Sequence, residues 1–144
     1  MTREGNRTSP GLLILAATEF ELAGFLESHS HECQKKRSGL TLYTGPDWHC
    51  LITGPGVFNT AAGLGAYLEN NTPSLVVDTG IAGAFDASGR GIGEISIADQ
   101  EQYLHTGVGD HAPLPFGLID NQPLTREGVY PMDRDLVCRY KEIL

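Results

Sequence analysis

"PSLVVDTGIAGAF", Pro73 to Phe85, carries the chain from a break into an apolar run and out into a turn of small residues. Leu75, Val76 and Val77 read as a short strand covered on both faces, because such strands show continuous apolar runs rather than alternation. Asp78 closes the run. Thr79-Gly80-Ile81-Ala82-Gly83-Ala84 then follows with little side-chain bulk. Residues without bulk directly after a buried strand let a backbone approach something closely.

The same grammar recurs upstream. Gly11 to Ala16 (GLLILA) reads as a first buried strand, and Thr18 opens a helix through Ser28 with Leu22, Phe25 and Leu26 at helical spacing. Leu40–Thr44 and Cys50–Thr53 read as a hairpin turning at Gly45-Pro46-Asp47. Gly54-Pro55-Gly56 breaks the chain, and a helix is expected over Asn59–Glu69. Downstream, Ile95–Ala98 reads as another strand, extending toward Gln102–Leu104, and Gly107–Gln122 as a long loop. Asp133 caps an amphipathic helix whose Leu136, Val137, Tyr140, Ile143 and Leu144 share one face. Strands alternating with helices imply an α/β domain: a three-layer α/β/α arrangement around a mixed, mainly parallel central sheet. In such sheets ligands sit outside the carboxyl ends of the strands. The loops Ala17–Glu21, Gly54–Asn59 and Gly80–Phe85 each follow an expected strand, so they should meet at one edge and line a cleft.

The 144 residues suffice for one domain with a core, expected over residues 11–144 behind a polar, flexible tail over 1–10. That tail has no apolar signal segment, and no run of 18 apolar residues occurs. A net charge of −8 opposes nucleic acid and anionic membrane as partners. Cys33, Cys50 and Cys138 are odd in number and widely spaced, against a disulfide framework or a zinc site, and this suggests a reducing, cytoplasmic setting. There the sequon Asn70-Asn71-Thr72 is coincidental. His29-Ser30-His31 has no neighbouring carboxylate or thiol ligand set and reads as a solvated loop, so no metal is expected.

Thr18-x-x-Glu21 has two readings. It fits a capping box, in which Thr and Glu satisfy the free N–H groups of a helix start. It also sets a carboxylate at a strand's carboxyl end, where it can orient or deprotonate water. Glu19 is the rival carboxylate. Gly54-Pro55-Gly56-Val57-Phe58-Asn59 half-matches a dinucleotide fingerprint, but Asn59 replaces its third glycine and no ribose-binding acid follows at the usual place. No phosphate-binding P-loop is present, and Gly89 to Gly93 reads as a flexible connection. Asp78 caps or solvates its turn, and a carboxylate there would repel a bound phosphate. No cofactor is expected.

Four segments together, "ATEFEL", "GPGVFNTAAGLGAYL", "PSLVVDTGIAGAF" and "GIGEISIADQEQYLHTGVGD", resemble in order and spacing the nucleoside phosphorylase/nucleosidase superfamily. The "TGIAGAF" turn and the "YLHTGVGD" ending look most like the futalosine hydrolases within it. The resemblance spans about Leu12 to Leu144. It implies hydrolysis of the N-glycosidic bond of a purine nucleoside, futalosine to hypoxanthine in menaquinone biosynthesis. The alternatives are a methylthioadenosine/S-adenosylhomocysteine-type nucleosidase, a nucleoside phosphorylase, or an inactive nucleoside-binding fragment. By position Glu21 matches the water-activating glutamate. Ile81, Ala82 and Gly83 match the turn whose backbone borders ribose and base, and Val108 matches a position near the purine. Phosphorylases of this kind carry an arginine where Asp78 stands and a phosphate-binding serine where Ile81 stands; both departures point to water as the acceptor. The ribose-clamping glutamate and the group that handles the purine nitrogen have no counterpart here, since Met132 is followed by Asp133. A chain truncated relative to the family is therefore expected, as is a homo-oligomer, a dimer or larger.

Overall fold

A computed structural model describes residues 10–35, 39–102, 118–119, 122–123 and 129–143. The chain divides into two compact units, Met1–Gly83 and Ala84–Leu144.

In the first unit the strands are β1 (Leu12–Ala16), β2 (Glu32–Lys35), β3 (Thr41–Thr44), β4 (Trp48–Ile52) and β5 (Leu75–Asp78), joined into one sheet in the order β2-β3-β4-β1-β5. The helices are α1 (Glu19–Ser28), after β1, and α2 (Val57–Leu68), after β4. β1 lies parallel to both neighbours, with Leu15 opposite Leu51 on one side and Asp78 on the other. β2, β3 and β4 form an antiparallel meander. The sheet is thus mixed in equal parts rather than mainly parallel. The reason is the turn at Gly45-Pro46-Asp47: so short a connection can only reverse the chain, whereas parallel neighbours need a long crossover.

β1 explains the core. Its side chains alternate between faces. Ile14 and Ala16 pack with Tyr43, Cys50 and the α1 residues Leu22 and Leu26. Leu13 and Leu15 pack with Leu42, Leu51 and Tyr67 of α2. Both alternating sets are apolar, so a continuous apolar run results, as the sequence of a two-face-covered strand requires. Leu13 and Cys50 are fully enclosed, and burial raises the Cys50 thiol pKa to about 11, leaving it protonated and inert.

β4 runs over Trp48–Ile52 rather than the expected Cys50–Thr53, and α2 and β2 also differ from expectation. α2 starts at Val57, not Asn59, because Gly56 takes φ +97° and turns the chain into the helix two residues early. β2 was not expected at all: ECQK carries no apolar alternation, and it pairs with β3 as an edge strand.

In the second unit β6 (Gln100–Gln102) pairs antiparallel with β9 (Val129–Pro131), and β7 (Leu118–Ile119) with β8 (Gln122–Pro123). Ile95–Ala98 is not a strand. Ile95 is 67% exposed, and β-branched composition does not make a strand where no ladder partner pairs with it. Most of the loop expected over Gly107–Gln122, Val108 included, lies outside the described residues. α3 (Arg134–Lys141) begins where expected, with Asp133 Oδ1 accepting from the Asp135 and Leu136 amides. Of its expected apolar face Val137 is buried, while Ile143 is exposed; Leu144 lies outside the described residues.

Candidate functional site

Because β4, β1 and β5 run parallel and adjacent, the loops after them emerge at one edge, as the sequence implied. Backbone bonds hold the three ends together. The Thr53 amide donates to Ala16 O (3.0 Å), Gly54 to Ala17 O (3.1 Å), and Thr79 to Leu15 O (3.0 Å). The buried Thr53 hydroxyl adds a link, bonding Gly54 O at 3.1 Å and lying 3.3 Å from the Thr60 hydroxyl of α2.

A cavity of about 310 Å³ opens at this edge, lined by Ala17 and Glu21 from the first loop and helix, Thr60 from α2, and Asp78 to Ala82 after β5. Glu21 projects into it. Oε2 accepts from the Thr18 amide (2.8 Å) and the Thr18 hydroxyl (3.0 Å). Oε1 accepts from the Ile81 amide (3.2 Å), 60 positions away in sequence. The capping-box reading and the cleft reading of Glu21 therefore hold together: one oxygen caps α1 and the other reaches the small-residue ledge. The Thr18 amide bond, joined by the Ile81 and Ala17 amides and the Thr18 hydroxyl, holds the Glu21 pKa below its ordinary value of 4.5. The group stays ionised at neutral pH.

Gly80 answers what the small residues approach. A Cβ built there would lie 3.0 Å from Glu21 Oε1. A side chain at position 80 would press on the carboxylate, so glycine is the residue that lets strand β5 and helix α1 share the corner. Sequence reading placed Gly80 in the small-residue turn without singling it out; the signal was there, a glycine two residues past a strand end.

Glu19, the rival carboxylate, does not line the cavity. It sits near the Tyr43 hydroxyl, which burial first and this carboxylate second push well up in pKa. Ile81 and Ala82 line the cavity beside Glu21, whereas Gly83 does not, and a Cβ at Gly83 would meet nothing within 4 Å. Val108 lies outside the described residues. The cavity lining carries two carboxylates, Glu21 and Asp78, and no Lys or Arg among its described residues.

His29 and His31 pack on aromatic rings: Phe25 stacks on His29 at 4.2 Å between centroids, and Tyr43 meets His31 edge-on at 5.1 Å. Among the described residues no group of three or more His, Cys, Asp or Glu is arranged to hold a metal. No described helix is long and apolar enough to cross a membrane. No protein-family model matches the chain.

Proposed function

We propose that the chain is a purine-nucleoside hydrolase, futalosine-type, in which the Glu21 corner delivers the water, built on a three-layer α/β/α fold that works in the cytoplasm as a homo-oligomer. One observation carries the reading: Glu21 Oε1 meets the Ile81 amide at 3.2 Å across a cavity floored by small residues. This is the convergence that the resemblance of "ATEFEL" and "TGIAGAF" to nucleosidases implies.

The chemistry follows from the carboxylate's bonds. Each carboxylate oxygen offers about two acceptor sites. Oε2 directs both at Thr18, and Oε1 gives one to Ile81. Oε1, the oxygen on the ledge side, is the one that holds a water in this reading. Breaking the bond between the anomeric carbon and the purine nitrogen passes through an oxocarbenium-like sugar cation. The bonding pair leaves with the base, which takes a proton from solvent; the water oxygen attacks the anomeric carbon, and the water's proton passes through Glu21 to solvent. A carboxylate fixed in its ionised form also stabilises the developing positive charge. The Ala82 backbone and the exposed Ile81 side chain offer a slender, apolar wall to a flat ring.

Water rather than phosphate is the acceptor in this reading. Two carboxylates and no cation line the described cavity, and a phosphate beside them would be repelled. The test is release of hypoxanthine from futalosine, with inosine and methylthioadenosine alongside, each with and without phosphate. Phosphate-independent release from futalosine is expected, with Glu21→Gln lowering it about 10²- to 10⁴-fold. Phosphate-dependent cleavage, or no release from any of the three, sinks the proposal.

A further inference from the structure

A larger cavity, about 680 Å³, lies elsewhere in the same unit, between the β3–β4 hairpin and α2. Its volume is that of a small-molecule site, which typically measures roughly 300–1,000 Å³. On the sheet side Leu42 and Leu51 come from neighbouring strands and give an apolar patch beside the uncharged polar Gln34 and Thr44. The helix side is thin, because α2 presents Gly63 and Ala66 here. The polar lining is Gln34, Thr44, Asn70, Asn71 and one ring pair bonded across the cavity wall, His49 and Tyr67. His49 Nδ1 and the Tyr67 hydroxyl are 2.7 Å apart, with the rings nearly perpendicular at 85°. No Asp, Glu, Lys or Arg occurs among the described lining residues, in a chain where 19% of residues are charged.

We infer that this cavity is a second binding site, for an uncharged, ring-sized molecule carrying one hydrogen-bonding group that engages the His49–Tyr67 pair. Shape comes from the apolar floor and the small residues of α2, which leave room for a flat ring. Polarity comes from what the pair still offers. A neutral imidazole has one donor and one acceptor nitrogen, and a phenol hydroxyl has a donor and lone pairs. Their mutual bond uses Nδ1 and one site of the hydroxyl. His49 Nε2 and a second hydroxyl site remain to meet a ligand. Charge selection comes from what is absent among the described lining residues: an ionised ligand finds no counter-charge, and burying an unpaired charge is costly. Burial holds His49 toward its neutral form, in keeping with this. The site is independent of the chemistry proposed at Glu21.

The probe is phenol, with benzoate and benzylamine as charged controls, followed by transferred and intermolecular NOEs on the whole protein. Phenol is expected to show NOEs to the Leu42 and Leu51 methyls and the Tyr67 ring, and to bind at least tenfold more tightly than either charged probe. Tyr67→Phe should weaken phenol roughly fivefold to tenfold, and Ala66→Phe, which fills the space, should abolish those NOEs. The NOEs of the unsubstituted protein locate the probe even where a variant folds poorly. No phenol NOE at these residues at millimolar concentration, or equal binding of benzoate, overturns the inference.

Discussion

At the scale of single residues the corner of Glu21, Thr18, Ile81 and Gly80 decides the chemistry. Position 80 is the sharpest probe, since a Cβ there sits 3.0 Å from Oε1. Gly80→Val should displace the carboxylate and lower nucleoside hydrolysis about 10- to 100-fold, the usual cost of misplacing a catalytic group by about an ångström. The Glu21 carboxyl carbon, followed by NMR against pH, should titrate closer to 4.5 than in the parent chain, because the Ile81 bond is strained or lost. An unchanged titration and rate would show that the corner tolerates bulk. Thr18 is the second lever. Its hydroxyl donates to Oε2, so Thr18→Val removes one bond that favours the ionised form. A rate that needs ionised Glu21 should hold its plateau as pH falls to below 4.5, the ordinary carboxylate value. In Thr18→Val the acid limb should move up in pH, and Thr18→Ser should restore it. The sequence left Glu19 and Glu21 as rivals. Two positions apart on a helix is about 200° of rotation, so both cannot face one cavity; spacing alone does not say which one does.

At the scale of elements the sheet was legible where strands carry apolar runs or a clear turn and obscure where they are polar. β1 announced itself through GLLILA, the run of a strand covered on both faces; LVV located β5 as well, but β5 is the edge strand of the sheet and Val76 is exposed, so the expected cover on both of its faces does not hold. β2 is polar and edge-bound, so nothing in ECQK distinguishes it from a loop. Ile95–Ala98 erred in the other direction, with strand-like residues and no partner strand among the described residues. Hairpin β3–β4 was read correctly from its turn, and the turn explains a further constraint. Gly45 donates its amide to Trp48 O at 2.8 Å, and a Cβ on Gly45 would fall within the Trp48 indole. Trp48 in turn meets Phe25 of α1 edge-on at 4.9 Å. Gly45→Ala should therefore push the indole off α1 and cost about 1–3 kcal/mol, the range for forced overpacking. Urea unfolding would give the number, and Trp48 emission should shift to the red as the ring gains solvent. A stability loss without a spectral shift would place the strain in the turn itself.

At the scale of the whole molecule the acidic balance governs behaviour with pH. The chain carries 18 Asp and Glu against 10 Lys and Arg, with a pI near 4.9. Between pH 7 and 5 the excess negative charge is titrated away, which relieves self-repulsion. Below that the carboxylates of the folded chain matter one by one. Glu21 and Glu94 are both held below 4.5, Glu21 first by the Thr18 amide and Glu94 first by the Gly91 amide and then by Arg90. A group whose pKa is depressed by folding binds fewer protons in the native than in the unfolded chain. Its contribution is present above the unfolded value of 4.5 and is lost as pH falls through the folded value. At the same time the 10 Lys and Arg charges lose their opposing partners. Both effects have the same sign, so the melting midpoint should hold or rise slightly from pH 7 to 5 and then fall steeply below 4.5. Circular-dichroism melts across that range measure it. Glu21→Gln should flatten part of the acid slope without moving the midpoint near pH 7 upward, since its carboxylate stabilises α1 and the ledge only while ionised; a midpoint that climbs on acidification below 4.5 would mean that these carboxylates are held in the folded chain at a cost rather than a gain.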